Sequence, residues 1–262
     1  MKITIEKFGA LTKRVTFEPR ELTVFCGNNN TGKTYALYVL NALMDSRFVA
    51  SFDWAKRHAK ALLESRSLVV PRNEWLDESG LRDAQTAIGM SLKQTLSRFF
   101  VADAVLTEES VFEVTLEAKR IEAHLDAFTF EIEFATGSHA NPQVPRLSCH
   151  FLAEFDTFEI KIDGNGLHKE HVEQALNQLL MTLYCPFRLG RALLLPAERS
   201  GINLFFRELN SRRAALLRHV TSQTLDTNEL LKDIIVSRYP QPIHDYIEFM
   251  NAQPEIKRQT SA

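Results

Sequence analysis

Leu22-Thr23-Val24-Phe25-Cys26-Gly27-Asn28-Asn29-Asn30-Thr31-Gly32-Lys33-Thr34 is the stretch on which the reading of this chain turns. Leu22 to Cys26 is an apolar run with β-branched Val24 at its centre and Gly27 at its end. A run of that length and type predicts a strand buried on both faces. Gly27 to Thr34 then satisfies G-x-x-x-x-G-K-[ST] in full, and from Tyr35 the apolar positions Leu37, Tyr38, Leu40, Leu43 and Met44 take helical spacing. The chemistry explains the pattern. A polyphosphate needs many amide N–H donors pointing inward, and Gly27 and Gly32 let the backbone wrap that closely. The helix that follows adds its free N–H groups and the positive end of its dipole. Lys33 is placed to bridge the β- and γ-phosphates, a catalytic as well as a binding role, and the Thr34 hydroxyl to ligate Mg²⁺. A chance glycine-rich turn would satisfy the same pattern, but it would not come with a strand before it and an amphipathic helix after it. The expected binding set is Gly27, Asn28, Asn29, Asn30, Thr31, Gly32, Lys33, Thr34 and Tyr35, with ATP and Mg²⁺ as ligands.

Outward from the loop, Lys2 to Lys7 alternates with Ile3 and Ile5 on one face, and Phe8-Gly9-Ala10 reads as a turn into a second short strand around Lys13 to Phe17. Residues 47 to about 104 read as mainly helical, with one amphipathic segment through Trp54 and Leu62, a break at Pro71, and a second from Ala84 to Phe100. From Val111 the period changes to two. Val111 to Glu117, Phe128 to Phe134, and Phe158 to Ile162 before the Asp163-Gly164-Asn165-Gly166 turn predict an antiparallel sheet with one wet face. Helical spacing returns from Glu170 to Leu183. Ala192 to Leu195 reads as a second buried strand, and Arg199 to Leu217 and Asn228 to Arg238 as helices. The organisation expected is a loop-bearing entry over 1–46, a helical insert over 47–110, antiparallel strands over 111–166, and a helix, core strand and helical end over 167–262.

Composition narrows the class. With 45% hydrophobic and 24% charged residues over 262 positions, disorder and fibrous folds are excluded. Apolar runs fall far short of a membrane span and the N-terminus alternates with charges, so a soluble cytoplasmic protein is expected. A net charge of −2 gives no general pull toward nucleic acid. The three cysteines, Cys26, Cys149 and Cys185, form no CxxC pair, which leaves no sign of a disulfide framework or zinc site.

The two N-terminal strands leading straight into Gly27-Asn28-Asn29-Asn30-Thr31-Gly32-Lys33-Thr34 resemble the opening of the RecF, SMC and ABC-type AAA ATPases. A second match, Leu193-Leu194-Leu195-Pro196-Ala197-Glu198-Arg199-Ser200-Gly201, resembles a segment of stand-alone ATPases in the same clan, many of them in bacterial anti-phage systems. The two matches lie about 160 residues apart and bracket a variable insert. The resemblance implies an α/β P-loop NTPase lobe with parallel core strands, an antiparallel subdomain and a helical insert. It also implies a site that closes between subunits, hence a homo-oligomer or a complex with another chain. It places Glu198 and Arg199 on a loop that senses the γ-phosphate and metal, although an Arg–Glu pair that merely orders the next helix fits them at least as well.

Further parts of the clan's hydrolytic machinery do not stand in this sequence. No apolar run ends in Asp-Glu; the one such pair, Asp77-Glu78, follows Glu74-Trp75-Leu76. Ser79-Gly80, Gly137-Ser138 and Ser200-Gly201 lack the rest of a signature loop. The expectation is the N-terminal half of such an ATPase, cut short, split, or completed by a partner. It would bind nucleotide and hydrolyse it poorly alone, because positioning and charge stabilisation make up nearly all the catalysis of phosphoryl transfer. The alternative is a non-hydrolysing scaffold in which ATP orders a protein–protein interface.

Other features have plainer readings. Arg207, Arg212, Arg213, Arg218 and His219 concentrate positive charge, which suits a nucleic-acid-facing helix or, more simply, a solvated helix face. Lys13 and Arg14 fit a solvated strand edge as well as a phosphate contact. His168 and His171 are expected at the surface, Cys26 in the core, and the 18 phenylalanines in the core too.

Overall fold

A computed structural model describes residues 1–20, 22–28, 31–45, 47–99, 108–134 and 144–186, together with Ile243, Asp245 and Tyr246. The chain divides into two compact units, one of residues 1–96 with 105–192, the other of 97–104 with 193–262. The first unit is a mixed α/β structure with two antiparallel sheets and six helices among the described residues.

The first sheet is built around β1 (Lys2–Glu6), with β2 (Val15–Phe17) on one side and β4 (Val111–Thr115) on the other. Ile3 sits opposite Phe17 and Val114, and Ile5 opposite Val15 and Phe112. The alternation seen in the sequence therefore points Ile3 and Ile5 into the core, where both are fully buried. Thr4, on the other face, is also buried, and its hydroxyl is satisfied by the Thr16 hydroxyl at 2.8 Å. Arg14 ties this edge to β4 through an ion pair with Glu113. The solvated-edge reading of Arg14 thus has a structural partner.

The second sheet has the order β3 (Ser67–Pro71), β7 (Thr157–Asp163), β6 (Arg146–Leu152), β5 (Thr129–Glu133). Val70, Phe158, Ile160, Ile162, Leu147 and Cys149 form its buried face, while Glu131, Arg146, Glu159, Lys161 and Asp163 lie on the other. One face is wet, as the two-residue period predicts. The partners differ from the expectation. Val111–Thr115 belongs to the first sheet, and the 129–133 and 157–163 strands are separated by β6. Two strands went unread in the sequence. Ser67–Pro71 sits between helices, and Arg146–Leu152 hides Leu147, Cys149 and Phe151 among His, Ser and Arg.

Helices α2 (Asp53–Ser65) and α6 (Lys169–Tyr184) pack on each other and on this sheet. Ala55, Ala59 and Leu62 face Val172, Ala175, Leu176 and Leu179 as one apolar layer. Helix α2 ends at Arg66, whose φ of +64° turns the chain into β3. Helix α6 begins at His168, whose backbone N–H donates to His171 Nδ1 at 3.4 Å, so both exposed histidines act as a cap. A buried polar bond joins the two helices: Asn177 Oδ1 accepts the Phe52 N–H at 2.9 Å. Replacing Asn177 by leucine should cost about 1–3 kcal/mol, the desolvation of an unpaired buried amide. Urea unfolding of the variant measures this, and an unchanged midpoint would show that the bond is dispensable.

Helices α3 (Arg72–Leu76), α4 (Glu78–Phe99) and α5 (Ala118–Glu122) complete the unit. Ile88, Leu92 and Leu96 are fully buried along α4, matching the predicted spacing.

The buried strand predicted for Leu22–Cys26 is not found. Leu22 is 82% and Val24 70% exposed, Cys26 is exposed, and no ladder includes them. A strand dry on both faces needs a neighbour strand on each side, and no described strand pairs with this run; among the described residues Phe25 lies edge-on to Phe17 at 5.0 Å. Every ladder among the described residues is antiparallel, so parallel pairing is not part of the structure seen. The other expected core strand, Ala192 to Leu195, and the helices expected over 199–217 and 228–238 lie outside the described residues.

Candidate functional site

Helix α1 (Lys33–Met44) starts as the sequence predicts, directly at the loop. Gly32 stands just before it in the left-handed region, at φ +83° and ψ +8°, and its carbonyl accepts the Ala36 N–H at 3.1 Å. That backbone favours glycine, because other L-residues strain there. Gly32, at the cap position, has no side chain to bond the first amides, and the first turn carries no acidic residue. The amides and dipole of this terminus therefore face no carboxylate from the helix's own first turn, which suits an anion.

The loop closes on itself in front of that terminus. The Thr31 hydroxyl donates to the Asn28 carbonyl at 2.9 Å. Lys33 reaches back over the loop: its Nζ donates to the Gly27 carbonyl at 2.9 Å, to the Asn28 carbonyl, and to Thr31 Oγ1 at 3.4 Å. The ammonium, the Thr31 hydroxyl and the start of α1 are thus gathered at one exposed surface. Gly27, Asn28 and Thr31 are exposed, Lys33, Thr34 and Tyr35 half-buried, and Gly32 buried. Asn29, Asn30, Glu198 and Arg199 lie outside the described residues.

Two residues that the sequence did not single out also meet here. Gly9, at φ +56°, lies against the Tyr35 ring so closely that a Cβ on it would fall within 3.0 Å of three ring carbons. Leu11 lies equally close to Gly32, where a Cβ would overlap its Cδ2 and Cγ. The only local signal was the Phe8-Gly9 turn, and its partner is distant in sequence.

The fit of the expected ligands is uneven. A phosphate chain matches an uncapped helix start beside a lysine. For Mg²⁺ the described residues offer the Thr34 hydroxyl next to that terminus, and no group of three or more His, Cys, Asp or Glu side chains gathers among them.

A separate cleft of about 1120 Å³, lined by Trp54, Glu74, Trp75, Met90 and Tyr184 among others, contains none of the loop residues. Its polar groups are largely used internally. Trp54 Nε1 donates to Glu74 at 2.5 Å, Asp77 accepts the Gly80 N–H at 2.6 Å, and the Tyr184 hydroxyl donates to the Trp75 carbonyl at 3.0 Å. Burial, with Asp83 and Asp77 nearby, raises the Tyr184 hydroxyl's pKa well above its ordinary value. Burial likewise pushes the Cys149 thiol up to about 12. Both are inert core groups at neutral pH. The cleft and the loop are thus separate features of the unit.

Among the described residues no helix is long and apolar enough to cross a membrane. Comparison of the chain with protein-family models, curated proteins and solved structures finds no match.

Proposed function

We propose that the chain binds ATP with Mg²⁺ through Gly27–Thr34, as the N-terminal portion of an ATPase of the ABC/RecF/SMC-like clan. The observation that carries this reading is the start of α1: a left-handed glycine at the cap, a first turn without an acidic residue, and a lysine ammonium folded over the same loop. Lys33 holds the phosphate chain by charge, the α1 amides orient it, and Thr34 is the protein's contact to the metal. The loop carbonyls that accept from Lys33 are exposed and can pass to water when the ammonium turns to a phosphate.

No apolar strand of this sequence ends in Asp-Glu, which supports binding without efficient hydrolysis by the chain alone. A different partner chain would supply the missing groups; a second copy of this chain could close over the nucleotide but lacks the same groups itself. The setting inferred by analogy with the clan is a multisubunit DNA-linked or anti-phage complex in the cytoplasm, in which nucleic acid is one partner to be tested. Should ATP bind without turnover even in the complete complex, the second reading applies, that of a nucleotide-ordered scaffold.

Isothermal titration of the purified chain with ATP and Mg²⁺ tests the proposal. Saturable binding is expected, with phosphate release at background. Rapid turnover by the chain alone would overturn the incomplete-site reading, and absence of binding would overturn the nucleotide reading itself.

A further inference from the structure

We infer that the turn Phe8–Leu11 is the positioning element of the phosphate loop, with Tyr35 and Leu11 as its positioning residues; this rests on the nucleotide reading above. The turn is rigid by construction. The Phe8 N–H donates to the Leu11 carbonyl at 3.1 Å and the Leu11 N–H to the Phe8 carbonyl at 3.0 Å. Phe8 is fully buried, edge-on to Tyr35 at 5.4 Å and to Phe112 at 5.1 Å. Before it Lys7 holds a φ of +53°, unusual for a residue with a side chain, and the buried Ser110 hydroxyl pins its carbonyl at 2.7 Å.

Turn and loop then interlock through two bare glycines. Gly9 of the turn makes room for Tyr35 of α1, and Gly32 of the loop makes room for Leu11 of the turn. Each element puts a side chain where the other has none. The two contacts bracket Lys33 and Thr34, one before and one after, so the turn fixes the position and tilt of the helix start that would face phosphate. Charge-assisted hydrogen bonds depend steeply on distance and angle. A shift of a few tenths of an ångström at Gly32 or Tyr35 would therefore cost affinity.

Tyr35 is half-buried at the helix start and meets the turn through Phe8 and Gly9, so trimming its ring reports on the contact between turn and helix. Gly9→Ala strains the backbone at φ +56° and drives a methyl into the Tyr35 ring. Its affinity for ATP and Mg²⁺ is expected to fall about ten- to a hundredfold, the worth of one charge-assisted hydrogen bond, with far-UV circular dichroism retained. Tyr35→Ala should lose a similar amount, and Tyr35→Phe, which keeps the ring that Gly9 makes room for, should recover most of that loss. The Gly9→Ala penalty should also shrink in the Tyr35→Ala background, since the ring it strikes is gone. Should Gly9→Ala fail to fold, the Tyr35→Ala and Tyr35→Phe pair decides alone. Equal affinity in the unaltered chain and Tyr35→Ala overturns the inference and leaves nucleotide binding standing. No binding by the unaltered chain overturns both.

Discussion

Lys33→Ala is expected to weaken ATP binding by roughly ten- to more than a hundredfold while leaving the melting temperature within about a degree of the unaltered chain. The two halves of this result have different causes. In the structure the ammonium bonds the Gly27 and Asn28 carbonyls, and both residues are exposed. Removing it frees those carbonyls to water, so little stability is lost. With a triphosphate present, the same ammonium supplies charge-assisted bonds to phosphate oxygens, each worth about 1.5–3 kcal/mol, and alanine supplies none. Calorimetric titration paired with a thermal melt reads both halves. Unchanged affinity would remove the main support for the nucleotide reading. A large loss of stability would instead show that Lys33 is a structural tie of the loop.

The largest effect on stability is expected from Trp75→Ala, about 3–5 kcal/mol. Trp75 is 1% exposed and lies 4.6 Å from the Phe158 ring and 4.9 Å from Trp54, centroid to centroid. It anchors α3, which at five residues is too short to hold as a helix by itself. The Trp75 carbonyl also accepts the Tyr184 hydroxyl, so α3 links the second sheet to the end of α6. The loss is a large share of the roughly 5–15 kcal/mol that stabilises a typical domain. Trp75→Phe should be far milder, about 1–2 kcal/mol, because it keeps a ring and removes an indole N–H that is buried without a partner. Urea unfolding curves for the pair decide the point. Equal losses in both variants would mean that the indole's extra bulk, rather than a ring as such, is what the cluster needs.

How much of this was legible depended on whether the information was local. That a loop over Gly27 to Thr34 opens onto a helix was readable because the pattern is written in consecutive residues, and the helix after it by its own spacing. Helices α4 and α6 were readable for the same reason: Ile88, Leu92 and Leu96, and Val172, Leu176 and Leu179, repeat with the helical period and are all buried. Strand partners were not legible. Val111–Thr115 alternates as clearly as Thr157–Asp163, yet one pairs with the N-terminal strand and the other with two strands that the pattern did not reveal. The reading of Leu22–Cys26 failed for a related reason. An apolar run states that burial would be favourable, but whether it is buried depends on neighbours far along the chain. The Gly9–Tyr35 contact is also non-local, so only Tyr35, next to the loop, entered the expected site.

The misplaced Cys26 has a practical use. Of the chain's three thiols, Cys149 and Cys185 are sealed in the interior, and Cys26 alone is open to reagent, immediately before Gly27. A maleimide dye added at neutral pH would attach there without any cysteine having to be engineered away. The natural sequence thus supplies a labelling handle beside the loop Gly27–Thr34, from which a change in fluorescence could be followed as ATP is titrated.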